Sequence, residues 1–203
     1  TLFPYTTLFR SVSEVPGQFL NNVQVVKLET FDDSSPENWN IQSGKVEESS
    51  LQIIGNENND GAWYSADFSE NQGLLIDFRF SQRSTFLVYL NFGSFGTDQF
   101  RRFGMDVDNS TTPITDIYGP GYLSGGYSGQ LSPTPDKTYT LLLAILPNGE
   151  VLDVVWDPAN PAEMLKFQKQ YDDTWAGLPW TLVIQAQKGT VVFDNFRVIE
   201  FGN

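Results

Sequence analysis

The sequence contains neither cysteine nor histidine. The missing cysteine excludes disulfide bonds and thiol catalysis, and the missing histidine excludes triads that need imidazole. Together the two absences exclude the usual zinc sites. Only oxygen ligands remain for a metal, so Ca²⁺ is the ion to consider. We therefore expect no required cofactor and, at most, a structural calcium ion.

Basic residues are scarce, with 12 Lys and Arg against 25 Asp and Glu and a formal net charge of −13. Such a surface repels the phosphates of nucleic acids and anionic membrane headgroups, so we expect neither as a partner. It suits a soluble protein with a neutral ligand such as an uncharged polysaccharide. No apolar run approaches the roughly 20 residues of a membrane-spanning helix, which argues against direct membrane insertion.

Aromatic residues and glycine are abundant: aromatics make up 14% of the 203 residues, and there are 17 glycines. This composition favours strands and turns over helices and argues against a disordered chain. A chain of this length can bury a core as one large β-sandwich without cross-links.

The first eleven residues, TLFPYTTLFRS, resemble the in-frame translation of a common short-read sequencing adapter. The alternative is a natural apolar strand. We favour the adapter and exclude residues 1–11 from the fold, which makes the chain a metagenomic fragment of a larger protein. Residues 12–24 are then a lead-in, and residues 25–203 form a single β-sandwich domain.

Apolar and polar residues alternate with period two through much of the chain, as in strands with one buried face. The apolar faces represented by Leu74, Phe86 and Leu141 should share one interior between two layers. About a dozen strands separated by turns predict an all-β fold, a two-sheet antiparallel β-sandwich. The predicted strands are 23–31, 39–42, 51–54, 62–66, 73–80, 85–92, 100–107, 138–146, 150–156, 180–187 and 190–201.

Several local features refine this prediction. The short link 81–84 predicts that strands 73–80 and 85–92 form an antiparallel hairpin. The turn sequence Pro147-Asn148-Gly149 predicts another hairpin, and the strand before it is apolar on both faces, which indicates a central position covered on both sides. Residues 160–171 fit either a capped helix or a strand opposite 150–156, and we favour the strand.

In the last predicted strand, the alternation of apolar and polar residues shifts by one position. Val191 and Phe193 share one face, whereas Phe196 and Val198 share the other. A regular strand cannot bury all four on one side, so we predict a β-bulge near Asp194-Asn195.

Both ends of the domain resemble one superfamily. The opening Glu29-Thr30-Phe31-Asp32-Asp33, with Trp39 and Gly44 following, and the close GTVVFDNFRV at 189–198 resemble concanavalin A-like lectin/glucanase domains, which include laminin-G-like modules. The resemblance spans residues 25–203 and implies a jelly roll with adjacent first and last strands. It also implies an extracellular or cell-surface, carbohydrate-related role.

Catalytic members of that superfamily carry E-x-D-x-E or E-x-D-x-x-E on one strand. The closest match here is Glu150 and Asp153, whose spacing of three places the carboxylates on opposite faces of a strand. Retaining glycoside hydrolysis needs two carboxylates close together. The sequence therefore leans away from an enzyme.

Three sets of side chains are candidate ligand-binding groups. The polar faces of the predicted hairpin and its neighbour would gather a patch that could recognise sugar hydroxyls, unless it is simply a solvated surface with ion pairs. The tyrosines of the Gly-rich stretch 117–129, interpreted as a loop, offer an adaptable surface unless their rings pack inward. Trp175 and the nearby Trp180 would stack on sugar rings if they are exposed. If they are buried, they belong to the core instead. The resulting ligand-binding candidates are Asp77, Arg79, Tyr89, Asn91, Arg102, Tyr118, Tyr122, Tyr127 and Trp175.

Related jelly rolls often hold a structural Ca²⁺ where the first and last strands meet. The resemblance implies Asp32, Asp33 and Asp194 as its ligands, with Glu29 as a further one. The alternative is that these acids cap local turns.

The leading hypothesis is a non-catalytic carbohydrate-binding module of a secreted or surface bacterial protein, with a neutral glycan as partner. The alternatives are a glycan-active hydrolase or lyase of the same superfold, and a structural adhesin or filament subunit that pairs through sheet edges.

Overall fold

The fold is given by a computed structural model, which describes residues 23–33, 36–55, 61–66, 71–82, 84–93, 101–108, 114–117, 123–146, 148–170 and 180–201. These residues form two antiparallel sheets, and the predicted all-β sandwich is confirmed. The first eight strands are β1 Val23–Glu29, β2 Trp39–Ile41, β3 Gly44–Glu47, β4 Ser50–Ile54, β5 Gly61–Ala66, β6 Gln72–Phe80, β7 Thr85–Phe92 and β8 Arg101–Asp108. The others are β9 Ile114–Ile117, β10 Leu123–Gly126, β11 Ser128–Gly129, β12 Tyr139–Ile145, β13 Glu150–Asp157, β14 Asn160–Gln170, β15 Trp180–Lys188 and β16 Thr190–Phe201.

One sheet has nine strands and the other seven. The nine-stranded sheet runs β11-β14-β13-β12-β6-β16-β4-β3, with β1 also paired to β16. The seven-stranded sheet runs β10-β9-β8-β7-β15-β5-β2. The pairing of β1 with β16 confirms the expected contact between the first and last strands.

The main core lies between the two sheets. Leu74, Phe86 and Leu141 are fully buried members of one cluster that draws on both layers. Period-two alternation therefore assigned the inward faces correctly. Trp180 is also fully buried there, so this tryptophan belongs to the core.

The nine-stranded sheet is apolar on part of its other face as well. Every residue of β12 is buried, and Leu142, Leu152 and Trp156 form a second buried cluster behind the sheet. The prediction of a central strand covered on both sides is confirmed. The turn at Gly149 (φ 77°) and the pairing of β12 with β13 confirm the predicted hairpin.

The predicted hairpin of β6 and β7 is wrong. Strand β6 pairs with β12 and β16 in the nine-stranded sheet, whereas β7 pairs with β8 and β15 in the seven-stranded sheet. The link 81–84 crosses between the layers, because four extended residues reach roughly 13 Å and the sheets pack about 10 Å apart. A second crossover lies beside it, at Gly189 between β15 and β16, and Thr190 N–H donates to Ser81 Oγ at 2.9 Å.

The predicted bulge in the last strand is confirmed. The register of β16 against β6 shifts between Asp194 and Arg197, and Asn195 has a φ of 50°. The shift turns Phe196 and Val198 to the same side as Val191, and all three are buried in the main core.

Residues 160–170 form a strand opposite β13, as favoured. The Gly-rich stretch differs from the predicted loop, because it contains β10 and β11 together with the last residue of β9. Within the described residues no helix is long and apolar enough to span a membrane.

Candidate functional site

The crossover between β6 and β7 divides the predicted ligand-binding patch between the two outer faces of the sandwich. Asp77 and Arg79 lie on β6, whereas Tyr89, Asn91 and Arg102 lie in the other sheet. The structure thus contradicts the prediction that these five side chains form one patch. It leaves two separate candidate sites.

The first site is a lattice of side chains on the outer face of the seven-stranded sheet. Trp63 pairs with Val183, and Val183 pairs with Tyr89. Because Ala62 and Tyr64 point into the core, Trp63 points outward. The next row pairs Asn91 with Arg102. We call Trp63, Tyr89, Asn91, Arg102 and Gln185 the seven-stranded face.

Tyr89 is the most constrained member of the seven-stranded face. Its hydroxyl donates to Gln185 Oε1 at 2.9 Å, and the guanidinium of Arg102 lies 5.3 Å from the ring centroid. Burial raises the pKa of Tyr89, and the positive charge of Arg102 partly opposes that rise. The phenol is therefore neutral at pH 7 and held in a fixed orientation, with Tyr89 only 6% exposed.

Gly104 determines how closely β8 approaches Tyr89. It pairs with Tyr89 and has a φ of 152°. A Cβ at this position would lie 2.2 Å from Val88 O and 2.5 Å from Tyr89 Cα. Sequence analysis did not identify Gly104, Trp63 or Gln185. Only the register of the strands places them beside the predicted residues.

The second site is a pocket on the outer face of the nine-stranded sheet, with a volume of about 600 Å³. Asp77 and Arg79 line it together with Asp194, which sequence analysis had assigned to a metal site instead. We call this the polar pocket. It joins residues that the sequence had placed in different sites.

Tyr127 does not present its ring as a surface platform. It packs against the main core, and its hydroxyl donates to Asp153 Oδ2 at 2.5 Å. Asp153 is fully buried, an arrangement that sequence analysis missed. A buried carboxyl needs such a donor, because desolvation of an unpaired acid is costly. Tyr118, Tyr122 and Trp175 lie outside the described residues.

The structure describes all four predicted calcium ligands, Glu29, Asp32, Asp33 and Asp194. Among the described residues, no group of three or more acidic side chains could hold a metal ion. Glu29 accepts from the Phe31 N–H and Asp32 from the Thr30 hydroxyl, both local contacts of the turn. Hydrogen bonds from Thr30 and Ser49 lower the pKa of Asp32. Asp33 lies at the same turn and Asp194 on β16, so the calcium site stays a prediction.

Asp194 has an unusual environment for an aspartate. Burial raises its pKa, and the negative charges of Asp77 and Asp32 raise it further. Its backbone partner in the sheet is Asp77. Two carboxylates directly opposite each other on neighbouring strands repel, so this arrangement needs donors close by.

Comparison with known proteins finds similarity to solved structures of the same fold, at low sequence identity. No protein-family model matches the chain, and no curated protein matches it. Among solved structures, it is similar to the catalytic domain of an endo-1,3-beta-glucanase (laminarinase) from Thermotoga petrophila RKU-1, with 15% identity, a TM-score of 0.64 and coverage of 91% of this chain and 100% of that chain. The match to the CBM2 module of the evolved Dit of Lactobacillus casei BL23 phage J-1 has 8% identity, a TM-score of 0.63 and coverage of 89% and 97%.

A third similar structure is that of an immunostimulatory antigen and pseudo beta-1,3-glucanase of Mycobacterium tuberculosis, with 12% identity, a TM-score of 0.58 and coverage of 88% and 99%. At these identities the matches establish the two-sheet jelly-roll architecture, as the resemblance to concanavalin A-like domains implied.

Proposed function

We propose that this chain is a non-catalytic carbohydrate-binding module of a secreted or surface bacterial protein, and that it binds a neutral glycan on the seven-stranded face. The observation that carries the proposal is the arrangement of Trp63, Tyr89 and Arg102 around a fixed hydrogen-bonding centre. Sugars present apolar ring faces bordered by hydroxyls, so their sites combine aromatic side chains with planar polar groups.

The seven-stranded face supplies both kinds of group on rigid strands. Trp63 and Tyr89 lie two strands apart, which is about 10 Å at the usual strand spacing. Asn91 and Arg102 add amide and guanidinium donors in the adjoining row. The contact of Tyr89 with Gln185 fixes the phenol in advance, so binding loses less side-chain entropy there.

The similar structures support a glycan as the ligand. Their names include laminarinase, glucanase and CBM2 module. The overall negative charge supports a neutral glycan over an acidic one, because like charges repel.

The described part of the seven-stranded face supports binding over hydrolysis. On the outer side of the same sheet, Asp106 is the one carboxylate among the residues with described side chains. A retaining glycosidase needs two carboxyl groups about 5–5.5 Å apart, and an inverting one needs two at about 6.5–9.5 Å. The one acid with a described side chain does not by itself supply such a pair.

The test is a glycan array on the full chain, followed by calorimetry with the best neutral oligosaccharide. We expect Trp63→Ala and Arg102→Ala each to weaken binding about tenfold or more, as for central residues of an interface. Lys169→Ala is the control, since it removes an exposed cation from the nine-stranded sheet outside the proposed site. Equal affinity of Trp63→Ala, Arg102→Ala and the parent would refute the site, and release of new reducing ends would refute the non-catalytic role.

A further inference from the structure

The residues that line the polar pocket differ in kind from those of the seven-stranded face. Most of its wall comes from three adjacent strands, β12, β6 and β16, and Ser50 of β4 and the turn at Pro158 and Ala159 complete it. Phe78 is the one aromatic residue among those that line it, and Phe78 is 1% exposed because its side chain lies in the core. The pocket therefore offers hydrogen-bonding groups and no ring on which a sugar could stack.

The register places a row of polar side chains across the floor of the polar pocket. Thr140 pairs with Asp77, and Asp77 pairs with Asp194. The bulge after Asp194 lets Asn195 reach back to Asp77, with Nδ2 to Oδ2 at 3.0 Å. The same irregularity that buries Phe196 thus also builds this pocket.

Asp77 is fully engaged by the protein. Its Oδ1 accepts from the Thr140 hydroxyl at 2.7 Å and from Arg197 at 3.1 Å, and its Oδ2 accepts from Asn195. Three hydrogen bonds fix the orientation of this carboxylate and leave it little capacity for a ligand. Asp77 is therefore a positioning residue for the pocket.

Asp194 and Arg79 retain capacity for a ligand. Asp194 Oδ1 accepts the Asn195 N–H at 2.6 Å, and in the described part of the chain no donor contacts Oδ2. The side chain of Arg79 is exposed in the pocket lining and makes no hydrogen bond to any described residue. A carboxylate oxygen that accepts and a guanidinium that donates are complementary to neighbouring hydroxyls of one polyol.

We infer that the polar pocket is a second binding site, for a single neutral sugar residue or a similar polyol held by its hydroxyl edge. One ligand hydroxyl donates to Asp194 Oδ2, and neighbouring hydroxyl oxygens accept from Arg79. The absence of an open ring in the described lining favours a terminal or free sugar over an extended chain. This site lies on the opposite sheet from the seven-stranded face, so neither site requires the other.

Backbone amide NMR of the full chain, titrated separately with glucose, galactose, mannose and N-acetylglucosamine, tests this inference. The Asn195 amide is the reporter, because it donates to Asp194. We expect it to shift with at least one of these sugars, while the Gly104 amide on the seven-stranded face does not move with it. No movement of Asn195 with any of the four would overturn the inference.

Two variants make the assignment specific. Arg79→Ala and Asp194→Asn should each weaken the binding seen at Asn195 about tenfold, and Arg102→Ala should leave it unchanged. Unchanged affinity in Arg79→Ala, which removes an exposed side chain and should fold normally, would overturn the inference. If glycan binding shifts only the Gly104 amide signal, the proposed function is supported and the second site is refuted. If it shifts only the Asn195 amide signal, the second site is supported and the proposed site on the seven-stranded face is refuted.

Discussion

Removing Asp77 tests whether the bulge region depends on one carboxylate. Asp77→Ala deletes the acceptor of three side chains: Thr140, Asn195 and Arg197. The side chains of Arg197 and Asp77 are 14% and 19% exposed, so the ion pair is mostly desolvated. Breaking a fully buried pair costs about 3–5 kcal/mol, because the remaining charge stays buried without its partner.

Two effects reduce the cost at Asp77. Partial exposure lets water solvate the Arg197 guanidinium, and the substitution relieves the repulsion between Asp77 and Asp194. We therefore expect a loss of about 2–3 kcal/mol in the free energy of unfolding. For a chain of this size that corresponds to a fall in Tm of about 4–12 °C.

Urea unfolding followed by tryptophan fluorescence measures this loss directly, since the chain has five tryptophans. Arg79→Ala, two residues along the same strand and exposed, is the matched control and should stay within about 0.5 kcal/mol of the parent. A double-mutant cycle of Asp77→Ala with Arg197→Ala should show a coupling of at least about 0.5 kcal/mol. If Asp77→Ala unfolds at the same urea concentration as Arg79→Ala, the reasoning about the buried network is wrong.

Three further predictions concern the core, the approach of β8 and the pH dependence of stability. Phe196→Ala should cost about 3–5 kcal/mol in urea unfolding, because Phe196 is fully buried with its ring 4.8 Å from that of Tyr64; a loss below 1 kcal/mol would refute its core role. Gly104→Ala should lower Tm and disturb the Tyr89 fluorescence or NMR signals, because its Cβ would collide with backbone atoms that cannot move aside; an unchanged Tm would contradict this. Asp194→Asn should raise the free energy of unfolding at pH 7. The pKa of Asp194 is raised in the folded state, so ionisation of this carboxyl destabilises the parent protein. That loss develops as the pH rises from the unfolded-state pKa through the folded-state pKa. The gain should vanish below the unfolded-state pKa, and a gain that persists there would refute its electrostatic origin.

The sequence alone determined much of the local structure, although it predicted a loop where β10 and β11 form. Alternation assigned the buried faces of Leu74, Phe86 and Leu141 correctly, because side-chain direction in a strand follows from backbone geometry at each position. The same rule identified the phase slip at Asp194-Asn195 and required a bulge. It also placed Glu150 and Asp153 on opposite faces, and Asp153 is indeed buried while Glu150 is partly exposed.

The tertiary structure decided which strands are neighbours and therefore which side chains meet. A short link such as 81–84 can either join adjacent strands or cross between layers, since both spans are within its reach. Alternation gives the direction of a side chain but not its sheet, so Asp77 and Tyr89 were wrongly placed together. The contact of Asp77 with Thr140 spans 63 residues of sequence and that with Asn195 spans 118. Pairings of that range depend on the packing of the whole sandwich, and they create the polar pocket.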